Sequence, residues 1–180
     1  MKFHRIKGVE DHYWEESWVI YQSNFPSGEQ RSLADHKRAL EDDRYHCMAI
    51  LEDNQVAGIL FYWKLSPFVF AEYLAIGEAL KGQGIGSEVL SLLKQQVGRL
   101  ILEIDPPEDK VAVRRMRFYQ REGFILNPYL HLNLPLRIGQ EKLPLRIMTV
   151  EEILSKAEYE AFSTILMTDL IQYGEGYREK

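Results

Sequence analysis

Hydrophobic positions change period several times along the chain, and each change marks a predicted element. Residues 2–6 read as a short strand. Over 11–23, Tyr13, Trp14, Ser17, Trp18 and Tyr21 recur at three- and four-residue spacing, which predicts an amphipathic helix. Asn24-Phe25-Pro26-Ser27-Gly28 breaks it, and a more polar helix follows over about 29–42. Segments 45–51 and 56–65 are rich in Tyr, Ile, Val, Phe and Trp and flank Glu52-Asp53-Asn54-Gln55, the pattern of a hairpin. After Ser66-Pro67, residues 68–76 form a near-continuous apolar run, as a strand buried on both faces would have.

Glycines come next, then a predicted helix from about Gly84 to Val97 with Val89, Leu90, Leu92, Leu93 and Val97 on its stripe. Residues 100–104 predict a strand stopped by Pro106-Pro107. A helix over 109–122 ends at Gly123, a left-handed cap position. Residues 124–126 are a short strand, and 129–133 and 144–149 are extended segments around a loop at 137–142. Two capping boxes follow, Thr149-Val150-Glu151-Glu152 and Ser155-Lys156-Ala157-Glu158. The second opens a helix with Phe162, Ile165, Leu166 and Leu170 on one face. With no linker or repeat, this is one α/β domain over 1–150, with a C-terminal helix in 151–180 packed on it or extending it.

Composition narrows the partners. The 180 residues are 46% hydrophobic and 27% charged, as in an ordinary globular protein. A net charge of −5 argues against nucleic acid, which is held mainly by clustered Lys and Arg. The single cysteine, Cys47, allows no internal disulfide and no paired-cysteine metal site. It has no His in the pattern of a thiol catalyst except adjacent His46, which a strand turns to the opposite face, so a core residue is expected. The histidines show no metal-ligand spacing, and no metal is expected. No signal-peptide pattern or membrane-length apolar run is present, so the default location is cytoplasmic and no membrane is expected. A homodimer is left open, with Leu166 and Leu170 as the face that would carry it.

The segment richest in chemistry is Leu80-Lys81-Gly82-Gln83-Gly84-Ile85-Gly86-Ser87, between strand and helix. A helix that opens on glycines presents unpaired N–H groups and the positive end of its dipole, to which phosphates bind. The dinucleotide fingerprint fails, because Ser87 stands where its third glycine belongs, and no Gly-Lys-Ser/Thr of a P-loop is present. A ligand-free turn is the alternative for glycines alone.

The run from Glu72 to Gly86 closely resembles the coenzyme A signature of the GNAT superfamily of N-acyltransferases: a strand, then Gln/Arg-x-x-Gly-x-Gly/Ala, then a helix. Arg117-Phe118-Tyr119-Gln120-Arg121-Glu122-Gly123-Phe124 resembles that family's second hallmark. The resemblance implies a mixed, mostly antiparallel sheet of about six to seven strands flanked by helices, with the C-terminal helix as an addition. It implies acetyl-CoA as cosubstrate and direct transfer of the acetyl group to an amine. Lys81 replaces the usual Arg or Gln, keeping the charge but losing the bidentate fork. Ala112 stands where the family commonly has Asn. A larger acyl donor, or a domain that binds CoA without catalysis, is the alternative.

Site residues follow from the resemblance. The backbone of Leu74, Ala75 and Ile76 would hold the thioester carbonyl. Lys81, Gly82, Gln83, Gly84, Ile85, Gly86 and Ser87 would cradle the pyrophosphate, with Arg115, and Arg114 or Arg117, within reach of a phosphate. Glu72 is the leading base, because a lone carboxylate in a buried strand is costly unless paired or functional; its alternative is a carboxylate held by an arginine. Glu103, in Leu100-Ile101-Leu102-Glu103-Ile104, is the rival. Tyr119 would protonate the leaving thiolate, or be a core tyrosine beside Phe118. The first two helices would wall the acceptor pocket, with Phe25, Pro26 and Arg31 in that wall. The acceptor itself is not encoded in any motif.

Overall fold

The computed structural model describes residues 1–96 and 98–177. Its strands are β1 (Lys2–Ile6), β2 (Tyr45–Glu52), β3 (Gln55–Leu65), β4 (Phe68–Ile76), β5 (Arg99–Ile104), β6 (Phe124–Leu126), β7 (His131–Leu132) and β8 (Pro144–Val150). Its helices are α1 (Trp14–Asn24), α2 (Leu33–Leu40), α3 (Ile85–Gln96), α4 (Lys110–Arg121) and α5 (Lys156–Ile165). Val97, expected on the stripe of α3, lies outside the described residues.

The eight strands form one mixed sheet in the order β1-β2-β3-β4-β5-β8-β6, with β7 also on β8. Its pairings are antiparallel except β4 with β5. That parallel pair is joined through α3, since parallel neighbours need a crossover. The β2–β3 hairpin closes as predicted, because Asp53 and Asn54 adopt the left-handed φ of 49° and 61° that a tight two-residue turn requires.

Period-two alternation divides the sheet's side chains between two cores. One holds Cys47, Phe61, Trp63, Phe70 and Tyr73 under Trp14 and Tyr21 of α1 and Phe162 of α5. The other holds Leu60, Val69, Ala71 and Leu102 under Val89, Leu90 and Leu93 of α3, with Met116 and Phe118 of α4 beside them. Phe162, Leu166 and Leu170 are all buried in the first core. The face considered for a dimer is therefore used inside the chain, and α5 continues as a π turn at Leu166–Leu170.

Two local expectations change, and a third holds. Helix α2 is shorter than 29–42: a 3₁₀ turn occupies Ser27–Glu29, and Ser32 caps α2 by accepting from the Asp35 N–H. Thr149 starts no helix. It ends β8 buried, donating to the Glu152 carbonyl and accepting from Asn127, while the Ser155–Glu158 capping box forms with both bonds. Cys47 is a core residue, and its neighbour is His36, with Nε2 3.9 Å from Sγ. His46 stacks on Tyr62 on the other face.

His36 is enclosed by Trp14, Trp18, Tyr21, Tyr45 and Phe61. Burial, with the charge of Arg31 beside it, pushes its imidazole down to about 3. Burial likewise pushes the Cys47 thiol up, so the two are a neutral pair and not an activated thiolate. An unfolded chain would protonate this histidine near pH ~6.5, long before the folded one. Stability from His36 is thus intact above that pH and is lost as pH falls toward 3. Between pH 7 and 5, urea denaturation should show the wild type losing about 2 kcal/mol more than His36→Gln.

Candidate active site

Strands β4 and β5 run together only over Phe68–Ala71 and Arg99–Leu102, and then part. The first residues beyond the last paired positions are Glu72 and Glu103, so both carboxylates stand at the crotch of the fork. A second irregularity falls at the same place: opposite β3, Phe61 pairs with Tyr73 and Tyr62 with Ala71, leaving Glu72 as the extra residue of a bulge. The bulge resets the alternation, so Phe70 and Tyr73 lie in the same core although three residues apart. Beyond it, β4 is paired with β3 alone. The β5-side edge at Leu74, Ala75 and Ile76 therefore has backbone N–H and C=O groups with no partner strand.

Glu72 is nearly enclosed. Its Oε2 accepts from Arg31 Nη1 at 2.6 Å and from Trp63 Nε1 at 2.9 Å. Arg31 is completely buried, and its guanidinium carbon lies 5.5 and 5.8 Å from the ring centres of Trp63 and Tyr45. It belongs behind Glu72, not in the pocket wall where the sequence placed it. Glu72 carries charge within a buried strand because Arg31, from the segment between α1 and α2, meets it there.

Glu103 has a different partner. Its Oε1 lies 2.6 Å from Nε2 of His131 on β7, and His131 Nδ1 lies 3.2 Å from the hydroxyl of Tyr159 on α5. Sequence reasoning missed both residues. No histidine sits in a ligand pattern, and nothing local shows that β7, paired with β8, brings His131 to Glu103.

At the glycine turn, Gly82 and Gly84 have φ of 81° and 85°, which disfavours any side chain, and the space over both is open. The Gly84 carbonyl accepts from Glu88 N–H, so the N–H groups of Ile85, Gly86 and Ser87 precede the first helical bond. The place where a Cβ on Gly86 would sit is 3.4 Å from Phe118, which lets α3 and α4 approach closely. These features fit an anion held by backbone. The side chains do less than expected: Ser87 donates to Glu122, and Lys81 pairs with Glu78.

Two cavities, of about 350 and 460 Å³, meet at the fork. The larger is lined by Leu74, Ala75, Ile76 and Lys81 on one side and by Arg114, Phe118, Tyr119 and Arg121 of α4 on the other. The smaller has Glu29, Asp105 and Glu108 among apolar residues that include Phe70, Leu136 and Leu166. Phe25, Glu72, Glu103 and Arg115 line both. Arg115 is paired with Asp105 at 2.7 Å, which holds it at this junction. Tyr119 packs its ring edge-to-face on Phe118 and Phe124, and burial pushes its hydroxyl up against the opposing pull of Arg115, so it keeps its proton at neutral pH.

Comparison with known proteins identifies the family that shares this fold. Residues 11–124 match the acetyltransferase (GNAT) family, and the chain belongs to it. It is 34% identical over 116 residues to YjbC of Bacillus subtilis (strain 168), a protein assigned to the acetyltransferases; the match covers 62% of this chain and 56% of YjbC. A solved structure assigned to the GNAT family, from Bacteroides thetaiotaomicron, superposes with a TM-score of 0.88 at 26% identity, covering 95% of this chain and 98% of that one. The fold is shared by a GNAT acetyltransferase from Elizabethkingia anophelis solved with acetyl-CoA bound, at TM-score 0.56 and 14% identity over 84% of this chain and 97% of that one.

The buried pair gives a test of the site's construction. Arg31→Met should destabilise the protein by about 3–5 kcal/mol, because it leaves the Glu72 carboxylate uncompensated. Glu72→Gln added to it should recover part of that loss, so the double variant in urea is more stable than the single losses sum to.

Proposed function

We propose that the protein transfers an acetyl group from acetyl-CoA directly to a primary amine at the β4–β5 fork. The observation that carries this is the junction of the two cavities at Glu72 and Glu103. The larger cavity, beside the glycine turn, is the donor side; the acetyl-CoA in the Elizabethkingia anophelis structure supports that reading. Backbone N–H groups of Ile85–Ser87 would meet the pyrophosphate, Lys81, Arg114 and Arg121 its rim, and the free edge of Leu74–Ile76 the thioester carbonyl. The smaller cavity is the acceptor side, and Glu29 and Glu108 suit an amine that arrives as a cation.

Acetyl-CoA supplies the activated acyl group; the remaining work is proton transfer and charge stabilisation. An alkylammonium near pKa ~10.4 must lose a proton before its lone pair attacks the thioester carbon. Glu103 takes that proton in this reading. Glu72 is less suited to it, because Arg31, a permanent cation, and Trp63 already occupy one of its oxygens, while the partner of Glu103 is an imidazole that can be neutral. As the C–S bond breaks, the Tyr119 hydroxyl gives its proton to the sulfur. The oxyanion meets the N–H groups on the open edge of β4.

Acetyl-CoA should raise the thermal midpoint of the wild type, and an amine panel should reveal turnover. Glu103→Gln should lower kcat about 100-fold and Tyr119→Phe at least about tenfold, with the KM for acetyl-CoA nearly unchanged. Full activity in Glu103→Gln alongside an inactive but folded Glu72→Gln would move the base to Glu72.

A further inference from the structure

Glu103 is the end of a column of side chains. Behind it, His131 is 4% exposed and Tyr159 stands between that imidazole and the outer face of α5. Tyr159 stacks flat on Tyr129, with rings 4.2 Å apart and 2° from parallel, and the Tyr129 hydroxyl donates to the Leu154 carbonyl. The column is braced at its far end, so the imidazole is fixed in place by groups that take no part at the fork.

The Tyr159 oxygen has two neighbours, His131 Nδ1 at 3.2 Å and the Leu130 carbonyl at 2.8 Å. With a neutral imidazole, the hydroxyl donates to Nδ1. With an imidazolium, Nδ1–H donates to the hydroxyl oxygen, and the hydroxyl donates to Leu130. The buried ring therefore has hydrogen-bond partners in both protonation states, and only a hydroxyl proton rotates between them. The titratable groups that meet His131 are Glu103 from β5 and Tyr159 from α5. Phe162 and Leu145, the β8 register partner of His131, are apolar, and Arg146 of β8 donates to the Asn127 carbonyl.

We propose that His131 is the positioning residue of Glu103: neutral, it donates Nε2–H to Oε1 and leaves Oε2 to receive the acceptor's proton; charged, it cancels the carboxylate. This rests on the reading of the fork as an amine acylation site. In the step itself, one proton leaves the ammonium nitrogen for Oε2, giving a free amine and a neutral carboxylic acid. The Nε2–H bond does not break. A pH profile of activity then reports the pair, because a charged imidazole silences the carboxylate.

The test compares wild type, His131→Gln and His131→Phe in the full chain. It uses acetyl-CoA with the fastest of butylamine, 1,4-diaminobutane, tryptamine and glycinamide, from pH 6 to 9. His131→Phe keeps an aromatic ring against Phe162 but no donor, and kcat should fall about 100-fold with the KM for acetyl-CoA within about twofold. His131→Gln keeps a donor that cannot titrate. It should hold kcat within about fivefold of wild type at pH 8 and flatten the fall in activity at low pH. Equal losses in both variants with an unchanged pH profile would make His131 a packing residue only, as would a fully active His131→Phe. Bound acetyl-CoA, read by thermal shift, shows that each variant is folded. A wild type that binds acetyl-CoA but acylates none of the amines overturns the functional reading, and this inference with it.

Discussion

The site depends on the ion pair between Arg31 and Glu72. A carboxylate at the centre of a sheet is costly to desolvate, and so is a guanidinium buried against Tyr45 and Trp63. Each is tolerated because the other is there, at 2.6 Å, with the Trp63 indole as a second donor. The pair also joins elements far apart in sequence. Arg31 lies between α1 and α2, its N–H donates to the Tyr21 hydroxyl, and Arg137 donates to the carbonyls of Gln30 and Arg31. One buried contact thus fixes the first two helices and the 137–142 loop against the strand that carries the chemistry.

The bulge at Glu72 and the end of β4–β5 pairing at Ala71 and Leu102 have one combined effect. The bulge sends Glu72 and Tyr73 toward the same core. The divergence frees the far edge of the next residues and opens space on both sides of the sheet. A regular strand here would place Tyr73 under α3 and pair Leu74–Ile76 on both edges, closing the larger cavity. Two departures from regular pairing at one residue produce a passage through the sheet.

Much of this was legible in the sequence because the signals were local. The glycine turn, the capping box at Ser155, the left-handed cap at Gly123 and the Asp53-Asn54 turn are each set by a few adjacent residues, and all four formed. The two carboxylates stood out as single charges in apolar strands, and both line the junction. What could not be read was every partner across the fold. Nothing near Glu72 names Arg31, 41 residues away, and nothing near Glu103 names His131, 28 residues away. The bulge was equally hidden, because an apolar run buried on both faces gives no sign when its phase slips by one residue. Thr149 misled for the related reason that its hydroxyl had a tertiary partner, Asn127, stronger than the local cap it resembled.

These partners distinguish two residues of the same type. Glu72 is bound to a guanidinium, a permanent cation that occupies one of its oxygens. Asp105 is likewise bound to Arg115. Glu103 is bound to an imidazole, the side chain whose charge changes most readily near neutrality. At a junction where two carboxylates face the same space, their backing, and not their own chemistry, sets them apart. Position identified both as candidates. The side chain behind each one is what tells them apart.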